Sequence, residues 1–70
     1  MNRQLVTSSN LYAVGYDETD GTLQVEFHNG SIYEYYNVPD SVYQGLLDAS
    51  SKGKYFYANI RNTYQDRQLT

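Results

Sequence analysis

The residues best suited to chemistry lie together late in the chain, in the segment Ser51-Lys52-Gly53-Lys54-Tyr55-Phe56-Tyr57-Ala58-Asn59-Ile60-Arg61. Cationic and aromatic side chains alternate there around the expected start of a helix, whose free backbone N–H groups attract anions. Lysine and arginine bind phosphate, and an aromatic ring that stacks on a nucleobase contributes about 1–3 kcal/mol. The segment therefore predicts a site for a phosphate-bearing ligand.

The candidate ligand-binding residues are the cations, tyrosines and amide of this region together with one earlier tyrosine, namely Lys52, Lys54, Tyr55, Tyr57, Asn59, Arg61 and Tyr35. The cations would neutralise phosphate and the tyrosines would stack. A purely structural interpretation is also open, in which Phe56 and Ile60 are core residues, Gly53 is a helix cap and the lysines are merely solvated.

Charge is distributed unevenly along the chain. Residues 1–49 hold one basic residue, Arg3, against seven acidic residues, a net charge of −6, whereas residues 50–70 hold four basic residues against Asp66, a net charge of +3. A basic region on an acidic body can attract an anionic partner to one side, and it can equally be an ordinary solvated surface. The overall charge of −3 argues against non-specific binding of nucleic acid.

Two other groups of residues could do chemistry, and neither predicts a site. His28 and Ser31 lie at a hairpin tip, which offers no pocket and no third group to orient a nucleophile and base. The loop from Asp17 to Gly21 is superficially similar to a calcium loop, but its spacing is wrong and turn formation explains its residues better. We expect no catalytic residue, no metal and no cofactor.

Size and composition restrict the class of protein. A chain of 70 residues is a single domain that buries only roughly 60% of its unfolded surface, so stability from a partner subunit is an option. Cysteine is absent, while nine tyrosines and two phenylalanines can build both a core and an adhesive surface. The N-terminus lacks a secretory signal and no segment is apolar enough to span a membrane, so we expect a cytoplasmic protein.

The elements that must position the site follow from the hydrophobic pattern. Alternation from Leu11 and again through Leu23, Val25 and Phe27 predicts two strands joined by the acidic loop, and residues 31–36 predict a third. We expect an α+β fold with a three-stranded antiparallel meander followed by two helices packed on one face of the sheet. Residues 1–10 would be a flexible leader, residues 11–64 the domain and residues 65–70 a tail.

The register of the second hairpin decides which face carries Tyr33 and Tyr35. A two-residue turn on Asn29-Gly30 would pair Phe27 with Ile32 and expose both tyrosines. A three-residue loop with Gly30 in the left-handed position would place both tyrosines on the buried face, beside Val25 and Leu23. We favour the second register because it collects the apolar residues on one face.

The helices are predicted from their boundaries and apolar spacing. Pro39 and Asp40 suit the start of the first helix, which would carry an apolar stripe and end at Gly53. Gly45 interrupts it at about 1 kcal/mol relative to Ala, which indicates close packing there or no particular role. A second, shorter helix is expected from Tyr55 to Arg61.

A set of spaced residues resembles a known family, the KTSC domain. The matching residues include a central tyrosine pair and a later Ser-x-Gly-x-Tyr-Phe run, and they are Phe27, Gly30, Tyr33-Glu34-Tyr35, Val38-Pro39, Val42-Tyr43, Ala49, Ser51, Gly53, Tyr55-Phe56 and Ile60-Arg61. One departure is Tyr57, where the family pattern has Asn. The family is named for its occurrence at the C-terminus of some lysyl-tRNA synthetases and also occurs as stand-alone bacterial and phage proteins. The resemblance implies RNA binding as a suggested role.

Two functions remain as hypotheses at this point. The first is a non-enzymatic module that binds RNA or a phosphate-bearing nucleotide through the basic and aromatic segment. The second is a protein-interaction module, such as a small phage protein that inhibits a host factor or sequesters a signalling nucleotide, with tyrosines as interface residues and a homo-oligomer as its stable form. Neither hypothesis involves a membrane.

Overall fold

The computed structural model describes residues 3–70. It contains five strands and two helices, in the order β1 (Gln4–Leu5), β2 (Leu11–Asp17), β3 (Thr22–Phe27), β4 (Ile32–Tyr35), α1 (Asp40–Asp48), α2 (Lys52–Asn59) and β5 (Asp66–Gln68). The strands form one antiparallel sheet in the order β1-β2-β3-β4-β5. Both helices pack on the same face of the sheet, which is called the inner face below.

The α+β class is confirmed, but the prediction of a three-stranded sheet is incomplete. The meander β2–β4 is present, and the segments expected as leader and tail add a short edge strand on each side. Leu5 pairs with Ala13, and Asp66 pairs with Tyr35. These strands are two and three residues long and have no apolar alternation, so only the neighbouring strand edge specifies them. Met1 and Asn2 of the expected leader lie outside the described residues.

The favoured register of the second hairpin is confirmed. Tyr33 pairs with Val25 and Tyr35 with Leu23. The Phe27 amide donates to the Ser31 carbonyl at 2.9 Å, and Gly30 has a φ of +91°, so His28, Asn29 and Gly30 form the three-residue loop. Both tyrosines consequently lie on the inner face.

A β-bulge interrupts the pairing of β2 with β3 between Leu11 and Ala13. The bulge keeps Leu11 and Val14 in the core and turns the intervening Tyr12 outward, where its side chain is 43% exposed. Strict alternation would have placed Tyr12 on the inner face with Val14, so the bulge removes one tyrosine from that face.

The acidic loop is a turn stabilised by its own side chains. An oxygen of Asp17 accepts from the Thr19 amide at 3.0 Å and Asp20 accepts from the Thr22 amide at 3.0 Å. Asp17 also accepts from the Thr19 hydroxyl, and this bond, together with the one from the Thr19 amide, holds the pKa of the Asp17 carboxyl below its ordinary value. Gly21 completes the turn with a φ of +74°.

The core lies between the inner face of the sheet and the two helices. Its fully enclosed side chains are apolar, and they are Leu11, Val14, Leu23, Val25, Val38, Leu46, Phe56 and Ile60. The predicted stripe of α1 is present, with Leu46 buried and Val42, Tyr43 and Leu47 packed around it.

The boundary between the helices differs from the prediction that Gly53 ends the first helix. α1 ends at Asp48, and Ala49 is already extended. Ser51 begins α2 by accepting a hydrogen bond from the Lys54 amide, a Ser cap that the sequence interpretation did not use. Gly53 lies in the first turn of α2, where a Cβ would come within 3.1 Å of Asn10 Nδ2. Close approach of the leader, and not helix termination, therefore explains this glycine.

The opposite, outer face of the sheet carries a polar network. Arg3 forms an ion pair with Glu26 at 3.3 Å and donates to Gln24 at 2.7 Å, and Gln24 in turn donates to Glu34 at 2.9 Å. These bonds cross three strand pairings and suit a face in contact with water. Between Arg3 and Thr70, neither helix has the length and hydrophobicity needed to cross a membrane.

Candidate ligand-binding groove

An open groove of about 360 Å³ runs between β4, β5 and the C-terminal end of α2. Its apolar lining consists of five aromatic rings, those of Phe27, Tyr33, Tyr35, Phe56 and Tyr57. Its polar lining consists of Asn29, Ser31, Arg61, Asn62 and Asp66. A concave surface with aromatic walls and a few polar groups is the usual form of a small-ligand site.

Strand register brings the aromatic rings together. Tyr33 and Tyr35 are two residues apart on β4, so they share the inner face, with ring centroids 6.4 Å apart. Phe56 of α2 packs in a T-shaped arrangement against Tyr35 and Phe27, with ring centroids 5.4 Å and 5.5 Å apart. The rings of Phe56 and Tyr35 are both buried and form the base of the groove, whereas Tyr33 is only partly buried.

Arg61 follows the last turn of α2 and lies at the rim of the groove. Its guanidinium carbon is 5.1 Å from the centroid of the Tyr57 ring, a cation–π distance. Within residues 3–70 the ion pair of Arg3 with Glu26 is the only one, so the Arg61 guanidinium has no carboxylate partner there. Its charge is held in position and remains available to an anion.

Tyr35 and Asp66 lie side by side in the groove, because their positions pair across β4 and β5. The Tyr35 side chain is only 4% exposed. Burial, reinforced by the Asp66 charge, raises the pKa of Tyr35 to about 12, while Arg61 acts in the opposite direction. The hydroxyl therefore stays protonated at neutral pH and can donate a hydrogen bond.

Three of the seven predicted ligand-binding residues meet at the groove. They are Tyr35, Tyr57 and Arg61. Lys54 lies on a separate shallow surface beside Ser9 and Asn10, and Tyr57 is the one predicted residue that borders both surfaces. The basic segment is therefore divided, because Lys52 and Lys54 are two positions apart and point to different sides of α2, while Arg61 follows the end of the helix.

The remaining three predicted residues make structural contacts away from the groove. The Tyr55 hydroxyl donates to the Val42 carbonyl at 3.0 Å, and its ring covers Gly45 of α1. The Lys52 ammonium donates to the Ala49 carbonyl at 3.0 Å, just after the end of α1. The side-chain amide of Asn59 donates to the Tyr55 carbonyl at 3.1 Å within α2.

Asp66, Asn62 and Tyr33 line the groove but are not among the predicted ligand-binding residues, although Tyr33 was expected on the buried face together with Tyr35. The favoured register already placed Tyr33 on the same face as Tyr35, so that register was a usable signal. No local signal existed for Asp66, because β5 has no strand pattern. Asn62 adopts a left-handed φ of 65°, which asparagine tolerates better than most residues. This turn after α2 redirects the chain toward β5.

A second set of tyrosines lies across the molecule, between β2 and the helices, and is called the α1 tyrosine cluster here: Tyr16, Tyr43 and Tyr55. Tyr16 and Tyr43 stack with centroids 4.6 Å apart. The Tyr16 hydroxyl donates to the Val38 carbonyl. Burial, followed by the charge of Asp40, raises the pKa of Tyr16.

The fold and groove define a small α+β module with an aromatic surface recess on its helix-covered face. The chain belongs to the KTSC domain family, whose model matches residues 7–64. A crystal structure of a KTSC domain protein from Yersinia pestis superposes with a TM-score of 0.93 at 33% identity, covering 99% of this chain and 97% of that one. The predicted resemblance to this family is thus confirmed.

The chain is similar both to a protein of about its own size and to one domain of much longer proteins. An uncharacterized protein of Stutzerimonas stutzeri is 45% identical over 56 residues, 80% of this chain and 79% of its own length. A lysine–tRNA ligase of Nostoc sp. is 45% identical over 58 residues, 83% of this chain. The match spans only 10% of that ligase, so the similarity concerns one domain of a much longer protein.

Proposed function

We propose that this domain is a binding module without catalytic activity, and that its groove holds a phosphate-bearing nucleotide, either free or within an RNA strand. The observation that carries the proposal is the position of Arg61, whose guanidinium has no carboxylate partner within residues 3–70 and lies over the Tyr57 ring at the rim of an aromatic groove. Arginine binds phosphate through charge-assisted hydrogen bonds, and aromatic rings accept a stacked base.

The groove suits a nucleotide better than a purely apolar ligand. Tyr57 is 47% exposed, so its ring offers surface for stacking, while Arg61, Asn62 and Asp66 add polar partners around it. Its volume of about 360 Å³ falls in the range of small-ligand pockets. Some relatives are named lysine–tRNA ligases, and this makes RNA one of the ligands to test first.

Binding of a fluorescently labelled RNA oligonucleotide, measured by anisotropy at about 50 mM and about 200 mM salt, tests the proposal. We expect affinity to fall as salt rises, because phosphate neutralisation releases counterions. Replacing Arg61→Gln should weaken binding by about tenfold or more, the loss of a hydrogen bond to a charged group.

The matched control is Arg67→Gln. It removes the same charge from an exposed arginine opposite Glu34, on the outer face of the sheet and away from the groove. We expect this variant to bind RNA nearly as well as the original chain. Equal losses in the two arginine variants would mean that only net charge matters, and salt-independent binding would contradict phosphate recognition.

A protein-interaction role is the second candidate, and the edges of the sheet favour it. Leu5 on β1 is 70% exposed, and Leu69, just after β5, is 40% exposed. Exposed leucines beside unpaired strand edges can join a second polypeptide by strand addition. Sedimentation velocity of the original chain and of Leu5→Lys would test this role. A concentration-dependent dimer that the substitution abolishes would support it, and a monomer that captures no protein would contradict it.

A further inference from the structure

Two side chains of opposite hydrogen-bonding type come from paired strand positions and line the same groove. Tyr35 and Asp66 are directly paired residues of β4 and β5, so their side chains leave the sheet on the same face. A carboxylate can only accept hydrogen bonds, whereas a protonated phenol can donate one. The groove therefore presents one donor beside a group that accepts two bonds.

Within the described part of the chain, neither the Tyr35 hydroxyl nor the Asp66 carboxylate has a hydrogen-bond or ion-pair partner. The influence of Asp66 on Tyr35 is electrostatic, with no hydrogen bond between them. Every side-chain polar atom that is shut off from solvent in residues 3–70 has a partner, and the Tyr35 hydroxyl, which makes no bond there, opens to the groove instead. Asp66 forms no ion pair within those residues, although Arg61 lines the same groove.

We propose that the groove selects guanine, with the Tyr35 hydroxyl donating to O6 and the Asp66 carboxylate accepting from N1–H and the 2-amino group. This inference rests on the proposed function and names the base that the nucleotide carries. Arg61, held against Tyr57, is left for the phosphate.

The Watson–Crick edges of the bases explain the selectivity. Guanine presents an acceptor followed by two adjacent donors, which complements a hydroxyl donor beside a carboxylate. Adenine presents one donor followed by an acceptor, cytosine one donor followed by two acceptors, and uracil a donor between two acceptors. Each of these would direct a ring nitrogen or carbonyl acceptor at Asp66, and a carboxylate that faces an acceptor loses its partners.

The separation of Asp66 and Arg61 supports a ligand with two different ends. Had the two charges served only stability, the simplest arrangement would be a salt bridge between them, yet they are not within 4 Å of each other. A free amino acid also has a cationic and an anionic end. The five aromatic side chains of the lining, however, favour a planar ring between the charged groups.

Isothermal titration calorimetry of the full chain with guanosine, inosine and adenosine 5′-monophosphates tests the inference. Inosine monophosphate differs from guanosine monophosphate only by lacking the 2-amino group, so it isolates one bond to Asp66. We expect inosine monophosphate to bind about tenfold more weakly and adenosine monophosphate about 100-fold more weakly than guanosine monophosphate.

Substitutions then assign the preference to named atoms. Asp66→Asn should reduce affinity for the guanine nucleotide by about tenfold to 100-fold and leave adenosine monophosphate nearly unaffected. Tyr35→Phe should weaken guanine binding by about fivefold and keep the fold, because the hydroxyl makes no bond within the described residues. Asp48→Asn is the control, an identical chemical change at an exposed position at the end of α1.

The guanine assignment and the proposed nucleotide site are contradicted by different results. Equal binding of the three nucleotides, or a guanine preference that survives Asp66→Asn, would overturn the guanine assignment and leave a general nucleotide site. Absence of binding by every nucleotide and by labelled RNA would overturn the proposed function with it. Binding of a free amino acid such as glycine in place of nucleotides would likewise overturn both.

Discussion

The groove and the α1 tyrosine cluster are built from the same residue type and use it in opposite ways. In the cluster, the hydroxyls of Tyr16 and Tyr55 donate to backbone carbonyls of the segment that leads into and forms α1. In the groove, Tyr33 donates to the side chain of Gln68, and the Tyr35 hydroxyl has no hydrogen-bond partner among residues 3–70. A tyrosine bonded to backbone holds elements together, whereas one without such a bond is available to a ligand.

The groove and the α1 tyrosine cluster also differ in the charged residues near their tyrosines. The cluster lies beside the acidic loop, and the carboxylates Asp40 and Glu18 act on Tyr16. The groove has Arg61 and Asp66 together, so both signs of charge reach Tyr35. Two charge signs within one recess can orient a ligand that has different ends, while a surface of one sign can only attract or repel it.

The largest expected contrast comes from two tyrosines of α2. Tyr55→Ala should lower the free energy of unfolding by about 2–3 kcal/mol, since it removes a packed ring and the bond to the Val42 carbonyl. Tyr57→Ala should cost less than about 1 kcal/mol, because its ring is 47% exposed. Urea unfolding followed by circular dichroism measures both. Similar losses in the two variants would contradict the division between a structural and an available tyrosine.

A smaller effect on the free energy of unfolding is expected for Gly45→Ala, and its sign should depend on whether the Tyr55 ring is present. A Cβ there would clash with the Tyr55 hydroxyl and ring, so Gly45→Ala must displace that side chain. We expect a net loss of about 1 kcal/mol despite the better helix propensity of alanine. In a Tyr55→Ala background the same change should stabilise by up to about 1 kcal/mol. A double-mutant cycle measures this coupling, and additive effects would mean that the ring does not press on Gly45.

The smallest effect concerns single hydroxyl groups. Tyr16→Phe should lower the free energy of unfolding by about 1 kcal/mol, because it leaves the Val38 carbonyl without its donor. Tyr35→Phe should leave stability nearly unchanged at neutral pH, since no bond within the described residues is lost. Thermal unfolding of the two variants is a sufficient measurement. A larger loss for Tyr35→Phe would indicate an internal role for the hydroxyl proposed to bind the ligand.

Much of the architecture could be predicted from local pattern. The alternation in β2 and β3, the turn residues at Gly21 and Gly30, and the apolar stripe around Leu46 each specify an element within a short stretch of chain. The register of Tyr33 and Tyr35 followed from collecting apolar residues on one face. Burial is a strong term, so a register that exposes several large apolar side chains is disfavoured.

The site was less predictable, because its residues come from separate parts of the chain. Lys52, Lys54 and Arg61 are close in sequence but have different surroundings, because Lys52 and Lys54 point to different sides of α2 and Arg61 lies beyond its end. Gly53 was interpreted as a helix end because glycine often occupies that position. The actual constraint, the approach of Asn10, is a contact between residues distant in sequence.

The sequence alone was enough to predict the α+β class, the central meander, the family, and an aromatic and basic character near the C-terminus. These depend on interactions among near neighbours, whose spacing in the chain is also their spacing in the fold. Tertiary structure alone decided the edge strands β1 and β5, the pairing of Tyr35 with Asp66, and the division of the tyrosines into two groups. Each of these requires a partner brought in from a distant segment, and the partner's position depends on the packing of the whole domain.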